Sequence, residues 1–421
     1  MTVLARKFGV RLLEPIEDAV QVALEAALTC WATQGLPARP GAWLYRVAHN
    51  ELMGQLRKEK GRARILESST HDFPADEDPP PDTFFDHEIR DGMLRMLFVC
   101  CDEAIPNESR IVLALKTLCG FSTSEIALRL FTTEANVHKR LSRARERLRE
   151  VSPDLDTPSL ESLEPRLSSV HEILYLLFNE GYLSAHAEFA IRRELCDEAI
   201  RLVTLLAEHP IGSRPETFAL LALMHFHAAR LAGRVAAGGE LLLLQEQDRT
   251  VWDRESMQTG MQWLARSASG EVFTRFHAEA AIAAEHCLAA SFSETRWSEI
   301  VDLYCILERI APSPLHTLNK AVAVAEAQGH QSGLEVLLSV VPPPWLEDSY
   351  LWHAAASDLY RRCGNHERAL HHGGLAVASA PTDALRALLM HRLALSTDTL
   401  ECVEGTLLNC CISARRKQGL R

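Results

Sequence analysis

Aromatic residues are scarce in this chain. Phenylalanine, tryptophan and tyrosine fill 6% of its 421 positions, and its long alanine- and leucine-rich stretches lack β-branched runs. Both shortages argue against strands and for an all-α protein. No segment reaches ~18 uninterrupted apolar residues, and the N-terminus has no long apolar core. Neither a membrane span nor a signal peptide is expected. A Cys-x-x-Cys pair is missing, and none of the eleven cysteines has zinc-site spacing. Cys100-Cys101 and Cys410-Cys411 are adjacent, and neighbours do not readily pair. They read as reduced, mostly buried thiols of a cytoplasmic protein. Overall positive charge is lacking too, since the net charge is −12. That excludes a protein coated in basic surface and leaves one that confines its positive charge to short patches.

The most informative patch is Ser122 to Arg149, STSEIALRLFTTEANVHKRLSRARERLR. Ser122 and Glu125 form a capping-box pattern, with the hydroxyl serving the third helical N–H and the carboxylate reaching back. Ile126, Ala127 and Leu130 are expected to face inward. A break follows at Phe131-Thr132-Thr133, and either threonine can cap the next helix. There Val137 and Leu141 share a face. Six cations and one acid lie between Lys139 and Arg149. The pattern predicts a helix-turn-helix whose second helix suits the major groove. A solvated basic helix of an ordinary bundle is the plainer alternative.

Composition divides the rest. Residues 1–66 read as a helical unit, periodic from Ile16 to Leu28, with a loop at Gly35 to Gly41 and a second helix ending in Arg57, Lys58, Lys60, Arg62 and Arg64. Residues 67–92 hold nine acids against one arginine between Glu67 and Asp91, with Pro74 and Pro79-Pro80-Pro81. They read as an extended linker. Such a tether spans at most roughly 90 Å, which exceeds the ~70 Å of two DNA turns. Residues 93–150 form the second helical unit, and 151–164 a proline-bearing connection. Residues 165–395 are helical again. Tyr360, Gly364, Ala369, Ala376 and Pro381 fit a tetratricopeptide pattern, and Ala321, Val324 and Gly333 fall at similar offsets in the block from Pro314. The match is partial, because Gly373 stands where a large residue is usual. A short solenoid of helical hairpins is expected, with a plain bundle as the alternative. Residues 396–421 read as a frayed, disordered tail. His225 and His227 lie on an apolar helix with no acid or cysteine beside them, so they read as packed histidines. No metal and no cofactor is expected.

GAWLYRVAHNELMGQLRK (Gly41 to Lys58) resembles the promoter-melting helix of bacterial sigma factors of the extracytoplasmic-function group. Glu17-Asp18-Ala19-Val20-Gln21 resembles the helix by which that region docks on core polymerase. The helix-turn-helix at 122–149 resembles the group's domain for the −35 element. LYLLFNEGY (174–182), ELCDEAIRL (194–202), EQDRTVWD (246–253) and LNKAVAVAEAQG (318–329) resemble the subgroup with a tetratricopeptide-like C-terminal extension. The resemblance implies a non-enzymatic factor whose partners are core RNA polymerase and promoter DNA. It implies core-polymerase docking by Glu17, Asp18 and Gln21. It implies −10 recognition and melting by Trp43, Tyr45, Arg46, His49, Asn50, Arg57 and Lys58. Upstream reading would fall to Thr133, Asn136, His138, Lys139, Arg140 and Arg143.

The residue types suit these roles. Arginine can read guanine and neutralise phosphate. Trp43 and Tyr45 can stack on extruded bases, although both read equally well as core residues. Departures from the family pattern are Val22, Leu24, His49, Gly54 and Phe131. A phenylalanine at φ > 0 would be strained, so the turn is expected to take another geometry.

In the extension, Asp248, Arg249, Trp252 and Asp253 have no nucleophile–base pair or phosphate loop beside them. They read as interlocked ion pairs ordering a loop, and as a candidate surface for polymerase or for residues 1–150. Control by a fused domain through intramolecular contact is expected. A helix-turn-helix regulator with a helical-repeat sensor, acting without polymerase, is the rival reading.

Overall fold

The computed structural model describes residues 1–64, 91–151, 160–184, 189–236, 238 and 240–393. The acidic linker is therefore outside the described residues up to position 90, as are most of the 151–164 connection and the 396–421 tail. The protein is all-α: no strand occurs among the described residues, which hold one isolated antiparallel bridge, Val235 with Leu241.

Two compact units divide the chain. The first takes in Met1–Ala127, Thr133–Ile173 and Glu208–Gly212, as far as these are described. It begins with α1 (Thr2–Phe8), α2 (Leu13–Gln34) and α3 (Pro40–Arg64). In α2 the residues Ile16, Ala19, Ala23 and Ala27 recur at helical spacing and are buried. Their small side chains let α2 lie close on α3, whose Ala48 and Leu52 are also buried. Gly35, at φ 80°, ends α2 with its N–H on the Trp31 carbonyl at 3.0 Å.

Four more helices follow: α4 (Gly92–Cys100), α5 (Asn107–Thr117), α6 (Thr123–Arg129) and α7 (Glu134–Val151). Asp91 caps α4 by accepting from the N–H groups of Met93 and Leu94, both at 2.9 Å. The capping box of α6 is formed. The Ser122 N–H donates to the Glu125 carboxylate at 2.6 Å, and the Glu125 N–H donates to the Ser122 hydroxyl at 3.2 Å. Thr133 caps α7, accepting from the Asn136 N–H at 3.3 Å. Val137, Leu141, Ala144 and Leu148 make the buried stripe of α7, which packs on α5. Ile126 and Ala127 are buried as expected, and Leu130 is half-buried. Helix α8 (Leu160–Leu163) precedes α9 (Leu167–Tyr182), whose first part belongs to this unit. There Arg166 pairs with Asp102 at 2.7 Å, and the Ser169 hydroxyl donates to Asn107 at 3.0 Å.

The second unit comprises Leu128–Thr132, Leu174–Ala207 and Ser213–Arg421, as far as described. Its helices are the rest of α9, α10 (Arg193–Glu208), α11 (Pro215–Ala229), α12 (Arg254–Ser267), α13 (Arg275–Leu288) and α14 (Trp297–Ile310). Then come α15 (Pro314–Gln328), α16 (His330–Leu338), α17 (Pro344–Glu347), α18 (Tyr350–Arg362), α19 (His366–Ala378) and α20 (Asp383–Leu393). Helix α11 is buried on nearly every side and packs on both α12 and α13. The pairs α15–α16 and α18–α19 are helical hairpins that share one core. Gly329, at φ 101°, and Gly364, at φ 77°, make the two turns. Tyr360 and Ala369 are buried on either side of Gly364. At Gly333 an added Cβ would fall 2.5 Å from that of Ala325, so only glycine allows α16 so close to α15. Gly373 is buried in α19.

Leu128–Thr132, the turn of the helix-turn-helix, corrects one expectation. Phe131 does adopt a left-handed backbone, at φ 49°. That conformation costs a non-glycine residue roughly 1–2 kcal/mol. Within the second unit its ring packs 4.6 Å from that of Trp345, and its N–H bonds the Leu128 carbonyl at 3.3 Å. Beside it, the Arg129 guanidinium donates to the fully buried Glu180 carboxylate and, at 2.7 Å, to the Leu183 carbonyl.

Candidate nucleic-acid and polymerase interface

On α7 the side chains of Asn136, His138, Lys139 and Arg143 are exposed, as is the cap Thr133. The buried stripe of α7 forces them outward. Arg140 differs, because its guanidinium pairs with Glu108 of α5 at 2.5 Å and is half-buried. Arg145 and Arg149 turn the other way. Arg145 donates to Glu14 at 3.1 Å and to Glu17, and Arg149 donates to Glu14 at 2.7 Å. A cleft lined by Glu14, His138, Leu141, Ser142, Arg145, Glu146 and Arg149 runs along this contact.

The helix expected to dock on polymerase is thereby divided. Glu17 is engaged by Arg145, whereas Asp18 and Gln21 are exposed. Gln21 touches its own-helix neighbour Glu25 at 3.4 Å. The large apolar side chains of Val22, Leu24 and Leu28 also face solvent, Leu28 at 77%. Exposed apolar residues on one helix suit a partner surface. Sequence reasoning marked Val22 and Leu24 only as departures from the family pattern and missed Leu28, although the Leu24, Leu28 spacing was a readable signal. It also missed the pairing of Arg145 and Arg149, for which a sequence carries no signal.

On α3 the side chains of Arg46, Asn50, Arg57 and Lys58 are exposed. Trp43 is half-buried with its ring edge-on to Trp31 at 5.5 Å. Tyr45 lies 5.7 Å from the His49 ring, and its hydroxyl is buried without a partner. His49 also packs on Phe8 at 5.5 Å. Trp43 and His49 thus tie α3 to α2 and α1, while the cations and Asn50 face outward.

In the second unit the 248–253 motif is ordered differently from expectation. Among the described residues Asp248, Arg249 and Asp253 make no ion pair. Asp248 accepts from the Thr250 N–H and hydroxyl at 2.8 and 2.7 Å. Asp253 caps α12 through the N–H groups of Glu255 and Ser256 at 3.0 and 3.2 Å. Those hydrogen bonds hold both carboxyls below their usual range. Arg249 donates to the carbonyls of His286 and Ala289 at 2.7 and 2.6 Å. Trp252 is buried and offers nothing to a partner surface. Carboxylates at helix starts satisfy open N–H groups directly, which removes the need for arginine. Of the histidine pair, His227 packs 4.9 Å from the Tyr182 ring. Burial pushes the Cys100 and Cys101 thiols up, Cys101 to about 12, so both are inert. No helix among the described residues is long and apolar enough to cross a membrane.

A helical pair carrying exposed cations, followed by a capped helix-turn-helix, is the arrangement of a sigma-type transcription initiation factor. Residues 3–62 match the model of sigma-70 region 2, and residues 95–148 match that of sigma-70 region 4. The chain is a sigma factor by these domains, with core RNA polymerase and promoter DNA as its implied partners. Residues 166–268 match a family of unknown function, DUF6596. An uncharacterized protein of Rhizobium meliloti (strain 1021) is 33% identical over 357 residues, covering 84% of this chain and 83% of the relative. The chain belongs to the same family as that protein. No solved structure matches this chain.

Proposed function

We propose that the chain is an extracytoplasmic-function-like sigma factor, cytoplasmic and non-enzymatic. In this reading it directs core polymerase to promoters with two separated elements. Residues 1–66 act as region 2, 67–92 as tether, 93–150 as region 4, and 165–395 as a tetratricopeptide-like regulatory extension. Asp18, Gln21, Leu24 and Leu28 form the docking face, with Glu17 joining once released from Arg145. Arg46, Asn50, Arg57 and Lys58 hold the melted strand. Thr133, Asn136, His138, Lys139 and Arg143 face the upstream groove, and Arg140 joins them when it leaves Glu108. The observation that carries this reading is that α2 exposes apolar residues while α3, packed on it, exposes cations. A DNA-only regulator has no use for Leu28 in solvent.

The arrangement described is a resting state, with the α7 arginines covering part of the docking helix. The extension acts through the helix-turn-helix turn. Supporting this are the Arg129 bonds to Glu180 and Leu183 and the Phe131 contact with Trp345. Open-complex formation by core polymerase on a promoter library tests the reading. Start sites that depend on the protein support it. Sequence-specific binding by the free protein, with no start sites, favours the regulator.

A further inference from the structure

In the second unit, Arg230 is buried and Arg234 and Arg249 are half-buried, close to one another and to two histidines. Arg230 is 8% exposed, and its Nε is buried without a partner. Its guanidinium lies 5.4 Å from the Trp252 ring centroid, and that of Arg249 lies 4.8 Å from the same ring. Arg234 sits 3.7 Å from the Tyr182 ring and donates to the Tyr182 carbonyl. His227 and His286 adjoin them. Burial first, and the fields of Arg230 and its arginine neighbours second, push both imidazoles down to about 3, so both rings are neutral at pH 7.

Among the described residues none of the three arginines makes an ion pair. Glu294 is the carboxylate whose field reaches Arg249, and it accepts from the Ser291 hydroxyl at 3.0 Å instead. Other unpartnered polar atoms lie here too. Nη2 of Arg249, Nε1 of Trp252 and Nδ1 of both histidines are buried without partners.

One buried and two half-buried positive charges with no ion-pair partner among the described residues are costly to fold around. Buried unsatisfied polar atoms in one place call for a missing ion, water or ligand. Cation–π contacts return part of the cost, but they leave the N–H groups unmet. Arginine forks are the donor geometry that phosphate oxygens fit. Arg234, Arg249 and His286 are only partly buried, so the cluster is not sealed from solvent.

We propose that Arg230, Arg234 and Arg249, with His227, His286 and Trp252 around them, form a binding site for a small phosphate-class anion. Either the free ion or the phosphoryl group of a small metabolite would neutralise the arginines and accept from the orphaned N–H groups. The site lies in the extension and does not depend on the sigma reading, because its test involves no polymerase.

Equilibrium dialysis of the full chain with labelled inorganic phosphate or pyrophosphate, at constant ionic strength in chloride, tests this. Saturable uptake of one label per chain is expected. Arg230→Gln should weaken it about tenfold or more, the usual worth of a hydrogen bond to a charged group. Arg249→Gln, at the partly exposed side, gives the same readout should the first variant fold poorly. Without phosphate, Arg230→Gln should melt no lower than the wild type. With phosphate, only the wild type should rise. Displacement of the label by a sugar phosphate identifies a metabolite ligand, and displacement by inorganic phosphate alone identifies the free ion. No saturable uptake, or wild-type uptake in both variants, overturns the proposal.

Discussion

Arg145 of the helix-turn-helix donates to Glu17 of the α2 helix, and each side chain is less than one-fifth exposed. Glu14 joins from one turn earlier and also takes Arg149. A basic α7 residue thus occupies an acidic residue proposed to dock on polymerase. Arg145→Gln should free that face. With no DNA present, affinity for core polymerase should rise several-fold, since partly exposed pairs are worth about 1 kcal/mol. The gain should shrink at high salt. Unchanged affinity across salt concentrations would mean that Glu17 is not part of the docking face.

Arg140→Ala separates base reading from backbone contact. If Arg140 leaves Glu108 to read a base, discrimination at that position should fall by about 1–3 kcal/mol. If it meets only phosphate, binding should weaken evenly and the salt slope should drop by about one. Neither change would show that its partner is Glu108 alone, and that the groove face of α7 begins at Lys139 and Arg143.

Glu180→Ala should destabilise the second unit. The carboxylate is fully buried between the Arg129 guanidinium and the Ser184 hydroxyl. Removing one partner of a buried pair costs about 3 kcal/mol, somewhat less here because Arg129 keeps some exposure. Urea unfolding reads this as a lower midpoint at unchanged slope. A change within error would mean that Arg129 is solvated in solution.

Stability should fall on mild acidification. His227 and His286 are neutral in the fold, with values pushed down to about 3 against an ordinary 6.5. A depressed folded value means that the unfolded chain binds the proton first. The stabilisation is therefore complete above pH 6.5 and is lost progressively as pH falls towards 3. Each histidine contributes on the order of 1 kcal/mol per pH unit in that window. His227→Gln should flatten the slope of urea midpoints between pH 7 and pH 5, and an unaltered slope contradicts the assignment.

Truncation after Glu150 should lower transcription, because the extension is proposed to add contacts. It also removes Arg166 and Ser169, which bond Asp102 and Asn107 within the first unit. The truncated chain should therefore melt lower as well. Raised constitutive activity at an unchanged melting temperature would make the extension purely inhibitory.

Local chemistry was legible in the sequence. The Ser122–Glu125 box, the Thr133 cap and the Val137–Leu141 stripe depend on residues three or four apart, and such spacing is visible in one dimension. What the sequence hid was long-range pairing. Arg145 looked like any other α7 cation, since Glu14 and Glu17 lie more than a hundred positions away. Phe131 looked unfit for a left-handed turn because Trp345, against which its ring packs, is equally remote. The 248–253 motif offered ion-pairing residue types, but helix starts at Arg249 and Arg254 claimed its carboxylates first.

The central claim is tested most directly by in vitro transcription with purified core polymerase, full-length protein and a promoter library. The account predicts initiation at promoters sharing two separated elements, lost when α2 carries Leu24→Glu and Leu28→Glu. Sequence-specific binding by the free protein with no initiation from any core enzyme would contradict it.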